Sequence, residues 1–179
     1  MALIGSPIKY ASCIMLAWLT FSAPALADQT RPLKDGNICT LQEFRTFDFL
    51  VGNWIVKTKQ GEVAGINSIE LILDQCALQE HWQAEDGFRG TSIIFFDANI
   101  NQWHQTWIDN RGSALRLQGN FNEGEMLLSG QKPNTQEFHE IRWRPLKNGQ
   151  IKQYWRMTLD QGKTWIERFE GYYIPQDGK

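Results

Sequence analysis

Residues 149–173, GQIKQYWRMTLDQGKTWIERFEGYY, decide the fold. In their first half Ile151, Gln153, Trp155, Met157 and Leu159 alternate with Lys152, Tyr154, Arg156 and Thr158. A period of two marks a strand with one face in a core and the other in water, so the more apolar set is expected inside. Asp160-Gln161-Gly162 then supplies turn chemistry. The run resumes over 163–173, where the same rule turns Trp165, Glu167, Phe169 and Tyr173 inward. The stretch is therefore expected to be a β-hairpin.

The pattern extends back along most of the chain. Alternating runs at about 53–60, 62–73, 76–86, 90–97, 101–109, 112–120, 123–130 and 137–145 precede the hairpin, separated by Gly-, Asn- and Asp-bearing turns. About ten antiparallel strands in sequence make a meander, and closing a meander into a barrel removes its exposed edges. The fold class is thus all-β: a single antiparallel up-and-down β-barrel. A short N-terminal helix is expected first, within Thr40–Gly52, with Thr40 as N-cap and Glu43 completing a capping box.

Residues 1–27 are set apart. Lys9 precedes the apolar run ASCIMLAWLTF, and Ala25-Leu26-Ala27 is an A-x-A cleavage site, so a removed signal peptide is expected. The run is too short to span a bilayer as a helix. Cys13 follows Tyr10-Ala11-Ser12, which is no lipobox. Residues 28–40 read as an arm and 41–179 as the barrel domain. With a formal charge of −2, and a mildly acidic chain after cleavage, there is no basic excess to attract nucleic acid. The expected partner is a small, partly apolar organic molecule, with no membrane once the signal is removed. Cys39 and Cys76 remain, and two cysteines in an exported chain point to a disulfide, the alternative being two separately buried thiols.

Alternation also assigns the interior. Ile69, Leu71 and Leu73 are expected inside on 62–73, Leu115 and Leu117 on 113–119, Met126 and Leu128 on 124–130, and Ile141 and Trp143 on 137–145. Some inner faces carry polar groups among large aromatics: Leu78, Glu80 and Trp82 on one strand, then Trp103, Gln105, Trp107 and Asp109 on another. Asp109 is the weakest of these, because the following turn competes for it. Polar groups among aromatics suit a ligand cavity, while a filled core with an internal hydrogen-bond network is the alternative. In a meander Glu80 faces Gln105 across one strand, about 10 Å away, a distance for a ligand or a bridging water.

Two resemblances bear on function. TLDQGKTW (158–165) resembles the Asp-box of sialidases, but a propeller needs repeated boxes and this chain has one. It reads as a hairpin staple, with Trp165 dropping into the core. Gly52-x-Trp54 resembles the opening of lipocalins and the wider calycin group, where the Trp plugs one barrel end. FDFLVGNW, IELILDQCALQEHW, FFDANINQWHQTWID, GEMLLSG, IRWRP and DQGKTW…FEGYY, in this order, resemble an exported bacterial family of unknown function whose barrels are compared with lipocalins and nitrobindin. That resemblance implies a barrel and brings no catalytic residues. Nitrobindin-like barrels hold heme through a His. Here only His139 falls on an inward face, His81 and His104 facing out, so heme is not favoured and no cofactor is expected.

The expected function is small-molecule binding against Trp82, Trp103, Trp107, Trp143 and Trp155, with Glu80, Gln105 and Gln153 orienting the ligand's polar end. The alternative is a lipocalin-like isomerase, cyclase or hydrolase using inward carboxylates, Glu80 and Glu167 with Asp109, as acid and base. No G-x-S-x-G, phosphate loop or metal-ligand cluster offers other chemistry.

Overall fold

The computed structural model describes residues 36–176. The signal-peptide reading of 1–27 and most of the 28–40 arm lie outside the described residues. Ten strands follow in order: β1 (Gly52–Thr58), β2 (Val63–Ile72), β3 (Ala77–Ala84), β4 (Arg89–Asp97), β5 (Gln102–Asp109), β6 (Ala114–Asn122), β7 (Glu125–Gln131), β8 (Phe138–Pro145), β9 (Ile151–Thr158) and β10 (Ile166–Pro175). Each pairs antiparallel with its neighbours in sequence, and β1 pairs with β10 to close the barrel. The all-β meander is as the alternation predicts. No helix among the described residues is long and apolar enough to cross a membrane.

The N-terminal helix exists but is short. α1 covers Gln42–Arg45, flanked by 3-10 turns at Ile38–Thr40 and Asp48–Leu50. The expected capping box does not form: Leu41 is the N-cap, and the Thr40 hydroxyl donates back to the Asn37 carbonyl at 2.9 Å. Phe44, Phe47 and Leu50 from this segment are buried in one barrel end. Phe47 meets Trp103 and Trp143 edge to face, at 5.5 and 5.4 Å, and Phe44 meets Phe96 at 5.1 Å. Aromatic pairs in this geometry add to what burial alone contributes.

Gly52 and Trp54 seat the chain where the segment hands over to β1. Gly52 has φ +145°, a region L side chains avoid. The Trp54 indole donates to the Leu50 carbonyl at 2.8 Å and packs on Tyr173. Cys39 and Cys76 form a disulfide that ties this plug to the β2–β3 turn. The Asn37 amide adds a bond to the Asp74 carbonyl at 2.7 Å, and the Arg45 guanidinium bonds the Gln75 carbonyl.

Most inner-face assignments hold: Ile69, Leu78, Leu115, Leu117, Met126, Leu128, Ile141, Trp143, Ile151 and Met157 are buried. Two apolar residues do not. Leu73 is 71% exposed and Leu159 50% exposed, because each sits at a strand's end in a turn, where alternation no longer applies. Trp165 also stays out of the core. It precedes β10 and packs on the barrel's outside, under the Arg156 guanidinium at 3.9 Å and against Phe138.

The hairpin itself is a staple. The Asp160 carboxylate accepts from the Thr164 amide (2.8 Å), the Thr164 hydroxyl (2.6 Å) and the Thr158 hydroxyl (2.7 Å). Thr158 Oγ1 in turn accepts from the Gly162 amide at 3.0 Å. These donors, Thr164's hydroxyl foremost, hold the Asp160 pKa down at about 2.

Candidate functional site

Strand parity puts Asn67 (β2), Glu80 (β3), Ser92 (β4), Gln105 (β5), Gln153 (β9) and Tyr173 (β10) on the inner wall. The barrel's curvature brings them into one layer near mid-height. Glu80 Oε1 accepts from Asn67 Nδ2 at 2.7 Å. Its Oε2 accepts from Ser92 Oγ at 2.5 Å and from Gln105 Nε2 at 3.2 Å. Glu80 is only 7% exposed and no cation among the described residues bonds it. A buried carboxylate is tolerated when donors replace its water, and three do so here. The expected separation of about 10 Å between Glu80 and Gln105 is therefore corrected: on a concave wall, long side chains converge and touch.

The Tyr173 hydroxyl continues the layer. It accepts from Asn67 Nδ2 at 3.3 Å and donates to Gln153 Oε1 at 2.9 Å. Burial, and after it the Glu80 charge, push the phenol pKa up, so it remains a donor. Glu80 and Tyr173 thereby fix both amide orientations, since a carboxylate takes only donors and the phenol's proton needs an acceptor. Gln105 turns its NH2 into the network and leaves Oε1 with no partner among the described residues. Gln153 turns its carbonyl into the network and leaves its NH2.

Above this layer, on the side away from the plug, lies a cavity of about 420 Å³. Gln105, Gln153 and Tyr173 form its floor with Leu115 and Ile141, and Trp82, Phe88, Trp107, Trp155 and Phe169 its walls. Four of the five wall aromatics have a local cause for their position. Trp155 Nε1 donates to His139 Nδ1 at 3.1 Å. Trp107 Nε1 donates to Asp109 at 3.4 Å, and its ring lies over Gly90, where an added Cβ would fall 2.0 Å from the indole. Phe169 lies over Gly171 in the same way and meets Trp82 edge to face. Glu85, Asp86, Arg111 and Arg168 surround the mouth. A second depression, of about 500 Å³, lies on the outer face of β2–β5, with His81, Gln83, Arg89 and Ile108 in its lining.

The sequence-predicted site residues divide accordingly. Trp82, Gln105, Trp107, Gln153 and Trp155 line the cavity. Trp103 and Trp143 do not: they lie below the polar layer, packed on Phe47 in the plugged end. Glu80 sits behind Gln105 and does not itself line the cavity.

Glu167 is on the outer face, not the inner. The β9–β10 register slips between Glu167 and Phe169, so that Glu167 pairs with Arg156 and Phe169 with Trp155. This β-bulge inserts Arg168 and reverses the parity of the residues before it. Asp109 belongs to its turn, accepting from the Arg111 and Ser113 amides at 2.9 and 3.0 Å. Desolvation raises its pKa, but the Ser113, Arg111 and Trp107 donors outweigh it and the net shift is downward.

Asn67, Ser92 and Arg168 were missed. Parity alone would have found the first two, since Asn67 precedes Ile69 by two, and Ser92 and Ile94 alternate on β4. Nothing in the sequence counts out the bulge that redirects Arg168.

Among the described residues no group of three or more His, Cys, Asp or Glu could hold a metal ion. His139 does not suit heme. Its Nδ1 accepts from Trp155 and its Nε2 meets Glu137 at 3.3 Å, so both nitrogens are engaged, and it does not line the cavity. Burial holds its pKa below the ordinary value. No protein-family model matches the chain, and no curated protein matches it.

Proposed function

We propose that the chain is an exported carrier or sensor of a small, partly apolar organic molecule. We read it as a calycin-type, lipocalin-like barrel, with the ligand held against Trp82, Trp107 and Trp155. The observation that carries this is the open cavity itself. Mostly aromatic walls over a floor of two half-satisfied amides match a small-molecule site, as does a volume within the usual range of about 300–1,000 Å³. The disulfide suits an oxidising compartment, in keeping with the signal-like residues 1–27. The catalytic alternative needs a second carboxylate beside Glu80. Glu167 faces outward and Asp109 is spent on its turn, so the geometry favours binding.

Native mass spectrometry of the protein purified from its own host tests this. A co-purifying small molecule, lost in Trp107→Ala, is the expected result. An empty protein whose tryptophan fluorescence also ignores apolar aromatic probes would end the reading.

A further inference from the structure

Resting on that reading, we propose a ligand class: a neutral, planar aromatic molecule whose buried end is a carbonyl oxygen, accepting a hydrogen bond from the Gln153 amide. Gln153 lines the cavity and is half-buried. Its Oε1 is taken by the Tyr173 hydroxyl at 2.9 Å, and its NH2 bonds nothing among the described residues. Flipping the amide would aim the NH2 at the phenol and strand the phenol's proton, since Tyr173 donates to no other group among the described residues. The floor therefore offers the cavity a fixed donor.

The other polar groups agree. Gln105 Oε1 also lacks a partner among the described residues, but it is closed off from the cavity and calls for no ligand atom. Gln105 Nε2 is held by Glu80 and Ser92, Trp107 Nε1 by Asp109 and Trp155 Nε1 by His139. Trp82 Nε1, on the wall, has no partner among the described residues and is again a donor. A ligand that displaces water from the Gln153 NH2 without bringing an acceptor leaves that donor unsatisfied.

Charge decides between a carbonyl and a carboxylate. Glu80 lies directly behind the floor: its Oε1 accepts from Asn67 Nδ2, which also donates to the Tyr173 hydroxyl that holds Gln153. No cation among the described residues bonds Glu80. A second negative charge at the buried end would face this one across a low dielectric. At the mouth, Glu85 and Asp86 offset Arg111 and Arg168, so nothing there recruits an anion. The body of the ligand is flat, since indole and phenyl rings from Trp82, Trp107, Trp155 and Phe169 form the walls.

Three naphthalenes, titrated calorimetrically into the purified protein, test this. 2-Acetylnaphthalene and 2-isopropenylnaphthalene have nearly the same shape and differ in ending on C=O or C=CH2. The alkene leaves water more readily, so a purely apolar cavity binds it the tighter of the two. Here the ketone is expected to bind about fivefold tighter, the scale of one net hydrogen bond. In Gln153→Met, which keeps the length and removes the NH2, the order should revert to the alkene's favour; if that variant does not fold, the ratio on the unaltered protein still decides. 2-Naphthoate is expected to bind about fivefold or more weakly than the ketone, because its charge either enters beside Glu80 or turns round and forfeits Gln153. An alkene that binds as tightly as the ketone, or a carboxylate that does, would overturn the ligand class and leave the binding function standing. If none of the three binds while the native protein carries another small molecule, the class is again wrong. If none binds and the native protein is empty, the binding function falls with it.

Discussion

At the scale of single residues, the buried polar layer sets what a substitution does. Gln105→Leu removes one of three donors to Glu80, and a buried charge that loses a donor costs about 1–3 kcal/mol. Had Gln105 faced only a wet cavity, as strand spacing alone implies, the same change would leave stability unaltered. Urea denaturation distinguishes the two, and an unchanged midpoint with an unchanged slope would show that Glu80 does not depend on Gln105. His139 gives a second test. Its folded pKa is depressed by burial, which outweighs the raising influence of Glu137, while Lys132 and Arg168 lower it further. The unfolded chain therefore takes up the proton first. Stability from neutral His139 is complete above about pH 6.5 and is lost as pH falls through the lower folded value. His139→Gln keeps an acceptor for Trp155 without a titrating ring. It should flatten the decline in stability between pH 7.5 and 5; equal slopes in both proteins would assign the decline elsewhere.

At the scale of elements, the β9–β10 hairpin and the β4–β5 pair carry separable consequences. Asp160 holds the hairpin through the hydrogen bonds its carboxylate accepts, which keep its pKa at about 2, so its contribution is present above the unfolded carboxylate range and fades as pH falls through about 2. Asp160→Asn should melt a few degrees below the unaltered protein at pH 6, with the gap closing toward pH 2. A gap that persists at pH 2 would place the effect in something other than ionisation. Gly90→Ala on β4 acts on the cavity instead. The new methyl would collide with the Trp107 indole, which lines the cavity. Overpacking of this kind costs about 1–3 kcal/mol, and affinity for an aromatic probe should fall about tenfold with the fold intact. Most of this architecture is legible in the sequence, because period two and turn residues determine which strands exist and which face is buried. The bulge is not. Two residues opposing one changes pairing without changing composition, so parity carried across 163–173 turned Glu167 in and Arg168 out. Leu73 escaped for a similar reason: it enters the left-handed turn Leu73-Asp74-Gln75, whose φ values of 51°, 53° and 73° fall on residues that do not advertise them.

At the scale of the whole molecule, the barrel is two compartments separated by the polar layer. Below it, Phe47, Trp103 and Trp143 fill one end; above it, the cavity opens at the other. Alternation names inward residues but not their height along the barrel axis, which is why Trp103 and Trp143 were expected to touch a ligand alongside Trp107. Height depends on stagger between strands, and only the closed register sets it. The two-compartment plan makes a prediction about the Cys39–Cys76 bond. The bond fastens the plug to the β2–β3 turn across a separation of 37 residues, and closing a loop of that size contributes about 2–4 kcal/mol. Cys39→Ser with Cys76→Ser should lower the melting temperature accordingly and loosen the plug, shifting the emission of Trp103 and Trp143 toward that of wet indole. The cavity lies beyond the polar layer, so below the new melting temperature the affinity for an aromatic probe should stay within about twofold, the residual expected between distant, independent sites. Free thiols at both Cys39 and Cys76 in unfolded, unreduced protein would remove the bond from the account. A large affinity loss in the folded double variant would show that the layer transmits the plug's position to the cavity, and that the two ends act as one.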